Sequence, residues 1–171
     1  NRVDHNNFTG KTNDGTTVVV WLKGDEHIEN NHSIDHNFFG PRPDLGKNGG
    51  ETIRIGTSEN SMKSSKTLVE NNTFKNCDGE IEIISNKSGD NIIRDNLFIE
   101  SKGAITLRHG DNALVENSVF IGNNVPNTGG IRIINEGHIV RNNLMIGLAG
   151  SGFRGPLVIM NGVPKSPLNR Y

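Results

Sequence analysis

The chain is poor in the residues that build a thick globular core. Of its 171 residues, 32% are hydrophobic and 5% aromatic, with one Trp and one Tyr. It has no apolar run of transmembrane length, and no segment shows the apolar periodicity of an amphipathic helix. These absences argue against a helical bundle and a membrane-spanning helix. The 21 Gly residues instead favour many short strands joined by tight turns.

Cysteine pairs and a dominant charge are also missing. The single cysteine, Cys77, excludes an intramolecular disulfide, and we expect it to be a small buried residue rather than a catalytic thiol. The formal net charge of -1 provides no overall field for nucleic acid or a membrane surface. We therefore expect neither partner, and any acidic polymer must be bound by a local cluster of basic residues.

What the chain does contain is a repeat. Six segments share an aliphatic residue, two polar residues, Asn or Ser, any residue, and then Phe or Met. Their last positions lie 22 to 35 residues apart, a period typical of stacked-repeat proteins. The segments are Val3 to Phe8, Ile34 to Phe39, Val69 to Phe74, Ile93 to Phe98, Val115 to Phe120 and Val140 to Met145.

Two columns of side chains follow from this repeat. Stacking the segments predicts a ladder of polar side chains that hydrogen-bond from one rung to the next. Its members are Asn6, Asn37, Asn72, Asn96, Ser118 and Asn143. An interior stack should lie beside it, formed by Phe8, Phe39, Phe74, Phe98, Phe120 and Met145.

A second strand-like run follows each repeat and alternates apolar with polar residues. The runs begin at Val18, Thr52, Ile81, Ile105, Ile131 and Leu157. Aligning them predicts one outward column of Arg54, Glu82, Thr106 and Arg132, with Glu80 and Arg108 on the same face. We therefore predict an all-β right-handed parallel β-helix, a solenoid of about six rungs formed by residues 1–171 as a single segment. Because no end caps are recognisable, we expect a segment of a longer helix.

The outward column concentrates charge that a sheet face does not need for solubility. Glu80 and Glu82 place two hard oxygen donors within reach of one cation, and Asn48 could supply a third. Lys87 follows at a turn, and Arg108 comes one rung later. The simplest alternative is a cross-strand ladder of ion pairs with no chemical role, with Lys87 a solvated turn residue.

At these residues the sequence resembles polysaccharide lyase family 6, which includes alginate lyases and chondroitinase B. The resemblance extends over essentially the whole chain and is nearer to the alginate lyases. The segments that carry it are Phe38 to Ser58, Gly79 to Ser88, Leu107 to Gly110 and Gly129 to Asn143.

The resemblance implies a role for each matching residue. Asn48, Glu80 and Glu82 would bind Ca²⁺, Lys87 would be the catalytic base and Arg108 the catalytic acid. His109 and Arg132 would line the groove that binds the substrate, an acidic polysaccharide, which the resemblance implies is alginate. Arg54 is a substrate-binding candidate from the outward column itself, where its guanidinium would suit a carboxylate of the polymer. The implied reaction is β-elimination of a polyuronate by a secreted or periplasmic enzyme.

Two other functions remain open at this point. A β-helix of this kind could bind polyuronate without cleaving it. It could also be similar to a mannuronan C5-epimerase, because removal and return of the same C5 proton gives epimerisation.

Overall fold

The corner between the first and second strands of each rung explains the repeat. In a computed structural model, which describes residues 1–22, 30–61 and 63–161, the residue before each ladder position has a left-handed backbone. These residues are His5, His36, Asn71, Asp95, Asn117 and Asn142, with φ between 53° and 55°. Asn, Asp and His tolerate this conformation better than other non-glycine residues. A single such residue therefore turns the chain at the same place in every rung.

The described strands form three parallel sheets of six strands each. Sheet A contains β1 (Arg2–Asp4), β4 (Ser33–Asp35), β7 (Leu68–Glu70), β10 (Ile92–Arg94), β13 (Leu114–Glu116) and β16 (Ile139–Arg141). Sheet B contains β2 (Asn7–Phe8), β5 (Phe38–Phe39), β8 (Thr73–Lys75), β11 (Leu97–Ile99), β14 (Val119–Ile121) and β17 (Leu144–Ile146). Sheet C contains β3 (Val18–Val20), β6 (Ile53–Ile55), β9 (Glu82–Lys87), β12 (Ala104–His109), β15 (Ile131–Ile133) and β18 (Leu157–Ile159).

The predicted parallel β-helix is confirmed, since successive rungs add one strand to each sheet. Two short 3₁₀ helices, Ser58–Asn60 and Gly152–Arg154, lie beside sheet C. Among the described residues, none of the helices is long and apolar enough to cross a membrane.

The interior stack is confirmed. The rings of Phe8, Phe39, Phe74, Phe98 and Phe120 stack in order with centroids 4.6 to 5.1 Å apart, and Met145 pairs in register with Phe120. Apolar residues of sheets A and C complete the core around them. Cys77 belongs to this core, and burial raises the pKa of its thiol to about 12. It is therefore a packing residue, as expected.

The polar ladder is also confirmed. The Asn37 side chain donates to Asn72 Oδ1 at 3.1 Å, and Asn72 donates likewise to Asn96 Oδ1. Where Ser118 replaces asparagine, its hydroxyl accepts the Asn96 backbone N–H at 3.2 Å, and its own N–H donates to Asn143 Oδ1. The ladder amides also donate to backbone carbonyls of the rung before, so their polar groups are paired.

Candidate active site

Sheet C carries the candidate site, at the place where its strands are least regular. β9 and β12 are each six residues long, twice the length of the other strands in the sheet. Their pairing shifts register twice, between Ala104 and Ile105 and between Leu107 and His109. A bulge of this kind redirects the side chains next to it. Glu82 and Lys87 lie on β9, and Arg108 lies on β12.

The predicted outward column needs one correction. Arg54 and Thr106 pair in register with Ser85, and Thr106 pairs with Arg132. Glu82 is therefore not a member of the column, because the irregular pairing of β9 moves it to the strand's first position, opposite Ala104. Its carboxylate nevertheless reaches the column: Oε1 accepts from Arg108 at 3.2 Å and from Arg132, and Oε2 accepts from Ser85.

Three buried carboxylates meet at this point. Glu51, Glu80 and Glu82 each offer an oxygen within 4.8 Å of the others. Glu80 Oε1 is buried without a hydrogen-bond partner among the described residues. Burial, together with the charges of Glu51 and Glu82, raises the pKa of Glu80 to about 7. An unpaired buried carboxylate oxygen beside two more carboxylates is a set of hard donors that fits a divalent cation such as Ca²⁺.

Glu51 was missed by the sequence reasoning. It lies two residues before Ile53, which pairs with Ile84, and Glu82 lies two residues before Ile84. Register alone thus brings Glu51 next to Glu82, so aligning Ile53 with Ile84 would have found it. Its Oε2 accepts from Thr16 at 2.9 Å.

Asn48 lies in the same depression of the surface as the carboxylates. Its loop, between β5 and β6, forms one wall, and the chain around Phe153 forms another. The Asn48 Oδ1 atom accepts from the Gly49 N–H at 3.0 Å. The depression is lined by Asp44, Gly46, Lys47, Asn48, Glu80, Ile81, Glu82, Arg108, Arg132, Phe153 and Arg154.

Lys87 is not the solvated turn residue of the simplest alternative. It ends β9, its side chain is only 13% exposed, and its Nζ lies 3.8 Å from Glu51 Oε1. It lines a second depression with Trp21, Arg54 and Thr57. Glu51 connects the two depressions, since it contacts Lys87 and belongs to the carboxylate cluster.

The basic residues differ in accessibility. Arg108 is 39% exposed, whereas the Arg132 side chain is 5% exposed. Burial lowers the pKa of Arg132, although Glu82 opposes this. The guanidinium of Arg132 lies 5.1 Å from the Phe153 ring, and that of Arg54 lies 5.7 Å from the exposed Trp21 ring. We call the two adjoining depressions together the groove. Each end of the groove therefore has an arginine beside an aromatic ring.

His109 is placed differently from the other predicted substrate-binding residues. It is completely buried at the end of β12, where it pairs in register with Lys87. The structure thus brings together Asn48, Glu80, Glu82, Arg108 and Arg132, places Lys87 and Arg54 in the adjoining depression, and leaves His109 beneath the surface.

Comparison with known proteins matches this geometry to a family. The model of the family described as chondroitinase B matches residues 1–171. The chain therefore belongs to this family of polysaccharide lyases, polysaccharide lyase family 6, whose structural relatives include alginate lyases. Among curated protein sequences, none matches the chain significantly.

Three solved structures illustrate the likeness. The family 6 alginate lyase AlyGC is 59% identical with a TM-score of 0.96, over 99% of this chain and 23% of its own. A mannuronic acid specific family 6 lyase from human gut microbiota is 44% identical with a TM-score of 0.88, over 98% of this chain and 37% of its own. A family 6 alginate lyase in complex with a trisaccharide is 37% identical with a TM-score of 0.79, over 88% and 32%. The chain thus spans 23% to 37% of the length of these relatives.

Proposed function

We propose that the protein cleaves a polyuronate, alginate, by Ca²⁺-assisted β-elimination in the groove of sheet C. The observation that carries the proposal is the buried carboxylate cluster with Glu80 Oε1 unpaired, set between Lys87 on one side and Arg108 on the other. A carboxylate oxygen buried without a partner is uncommon in an ion-pair ladder that serves only the fold, because buried polar groups are normally hydrogen-bonded.

Glu51, Glu80, Glu82 and Asn48 are the residues that would hold the ion. A bound Ca²⁺ would neutralise the uronate carboxylate and so stabilise the charge that develops next to C5. Asn48 lies on the groove wall, where its side-chain oxygen can join the carboxylates. We include Glu51 because it shares the cluster and is as buried as Glu80 and Glu82.

The proton transfers are assigned to two residues on neighbouring strands. Lys87, in its unprotonated form, removes the C5 proton. Arg108 faces the departing glycosidic oxygen and stabilises its negative charge, chiefly as an electrostatic partner because a guanidinium gives up its proton reluctantly. As the acid, it donates the proton with which that oxygen leaves as a hydroxyl, and it regains a proton from solvent. The C4–O bond breaks as the C4–C5 double bond forms, and no water is consumed.

Substrate binding is assigned to the remaining basic residues. Arg54 and Arg132 lie in the same column, three rungs apart, which corresponds to about 14 Å at the usual spacing of strands. Because this spacing is longer than one sugar residue, they would contact carboxylates of non-adjacent uronates along the polymer. His109 would act from beneath the groove floor, through the conformation of β12. Because the substrate is a polymer, we propose a secreted or periplasmic location.

The test is an assay of the full-length protein on alginate and on dermatan sulfate at equal uronate concentration. Elimination produces an unsaturated uronate that absorbs in the ultraviolet, and we expect this absorbance to rise with alginate and hardly at all with dermatan sulfate. Faster cleavage of dermatan sulfate would overturn the substrate. No absorbance rise with either polymer would overturn the lyase reaction, and would be the result for a binding module or an epimerase.

A further inference from the structure

A buried arginine outside the groove holds the segment that bears two of the proposed metal ligands. Arg42 follows β5, and its backbone forms a bridge with Cys77. It is 4% exposed, yet among the described residues no carboxylate oxygen hydrogen-bonds its guanidinium. Placing a charge in such surroundings is unfavourable unless the site satisfies it in another way. Burial accordingly lowers the pKa of Arg42.

The partners of Arg42 are three backbone carbonyls of two separate segments and, at 3.4 Å, the Thr17 hydroxyl. Its Nη1 donates to the Glu51 carbonyl at 3.0 Å, and its Nη2 donates to the carbonyls of Asn13 at 3.0 Å and Gly15 at 2.8 Å. The planar guanidinium fits this task because it presents several donors in fixed directions. An amine could not reach all three carbonyls in the same geometry.

The bond to Glu51 closes the loop of residues 43–50 at its base. This loop carries Asn48, and most of its residues are exposed. The segment around Gly15 supports Glu51 as well, because the Thr17 N–H donates to the Glu51 carbonyl at 3.2 Å and the Thr16 hydroxyl donates to its carboxylate. Arg42 therefore holds both segments that determine where Glu51 lies.

A glycine of the neighbouring rung, Gly79, leaves room for the Arg42 side chain. A Cβ atom on Gly79 would lie 2.8 Å from Arg42 Nε and 2.2 Å from the Gly50 carbonyl oxygen. Gly79 directly precedes Glu80. Arg42 is therefore packed against the backbone at the point where the segment that bears Glu80 and Glu82 begins. The charges of Glu51 and Glu80 also act on Arg42, which places a fixed positive charge near two of the three carboxylates.

We propose that Arg42 is a positioning residue for the Ca²⁺ site: it fixes Glu51 and the preceding loop that bears Asn48, and its buried positive charge offsets the negative charge of the carboxylate cluster. The inference rests on the proposed function, because it assumes that the carboxylates bind Ca²⁺. Arg42 touches neither the ion nor the substrate and acts through Glu51.

The test is Ca²⁺ binding by calorimetry to the chelator-treated full-length protein, comparing wild type, Arg42→Lys and Arg42→Gln. We expect both variants to bind Ca²⁺ about 10- to 100-fold more weakly, the range found when groups that orient metal ligands are removed. At saturating Ca²⁺ the kcat of Arg42→Lys should return close to the wild-type value, since the catalytic residues remain. Arg94→Lys is the control: it alters a half-exposed ion pair with Glu70 on sheet A and should leave Ca²⁺ affinity unchanged.

The outcomes that would contradict this inference differ from the one that would contradict the proposed metal site. Wild-type Ca²⁺ affinity in Arg42→Lys, with a lower melting temperature, would make Arg42 a residue of the fold alone and overturn the inference. The same conclusion would follow if both Arg42 variants failed to fold even in saturating Ca²⁺. A wild-type protein that binds no Ca²⁺ would instead overturn the proposed metal site, and this inference with it.

Discussion

Two columns of polar side chains run along the same solenoid, and they differ in how completely they are paired. In the ladder at the corner between sheets A and B, uncharged amides are bonded to the next rung and to the backbone of the previous one. On sheet C the side chains are charged, Glu80 Oε1 has no partner among the described residues, and its pKa is raised. The paired ladder follows the strict repeat of the sequence, whereas the charged column includes the irregular strands β9 and β12. The comparison assigns stability to the ladder and chemistry to the groove.

The largest expected effect is the loss of activity in Lys87→Ala. Removing the base should lower kcat/KM on alginate by about 10²- to 10⁴-fold, measured by ultraviolet absorbance in saturating Ca²⁺. Lys75→Ala, which removes an exposed lysine from sheet B, is the matched control and should retain full activity. Substantial activity in Lys87→Ala would show that another group removes the proton.

The next effect concerns the Ca²⁺ requirement of the groove. Glu80→Gln removes one carboxylate of the cluster, so the Ca²⁺ concentration for half-maximal activity should rise at least about 10-fold. The measurement is the elimination rate in buffers of defined free Ca²⁺. Full activity of the wild type after exhaustive chelation, with no metal detected in the protein, would remove Ca²⁺ from the mechanism.

The third effect is a loss of stability, and we expect it in the ladder rather than in the groove. Asn96→Ala removes the acceptor of the Asn72 backbone N–H and side-chain amide, and the donor to the Val69 and Arg94 carbonyls, at a cost of about 1–3 kcal/mol. Its melting temperature should therefore fall below that of Lys75→Ala, which alters an exposed side chain of sheet B, both measured in Ca²⁺. Equal melting temperatures would mean that the Asn96 position of the ladder contributes no more stability than an exposed side chain.

The smallest expected effect is a pH dependence in the metal-free protein. The pKa of Glu80 is raised from 4.5 to about 7, so the folded state favours its protonated form. That contribution to stability is complete below pH 4.5 and is lost as the pH rises through about 7. In chelator, wild type should thus become less stable relative to Glu80→Gln between pH 5 and pH 8. A difference in melting temperature that does not change with pH would contradict the shift.

The sequence predicted the ladder and the phenylalanine stack because both recur at one phase of every repeat. The alternation of residues predicted the wrong register for Glu82. The consecutive apolar residues Ile83 and Ile84 interrupt the alternation at the irregular pairing, and the structure pairs Ile84, not Ile83, with Ile53 and Ile105. Lys87 looked like a turn residue because the lengthening of β9 to Lys87 depends on its neighbours. Arg42 and Glu51 lie outside the repeats, and their importance follows from contacts across 9 to 35 residues.

The most direct test of the account is a crystal structure of the full-length Lys87→Ala protein with Ca²⁺ and an alginate oligosaccharide. We predict one Ca²⁺ ion about 2.3–2.6 Å from oxygens of Glu51, Glu80 and Glu82, shared with a uronate carboxylate whose C5 faces the position vacated by Lys87. An ion bound elsewhere, or an oligosaccharide lying off sheet C, would contradict the assignment of chemistry to the groove.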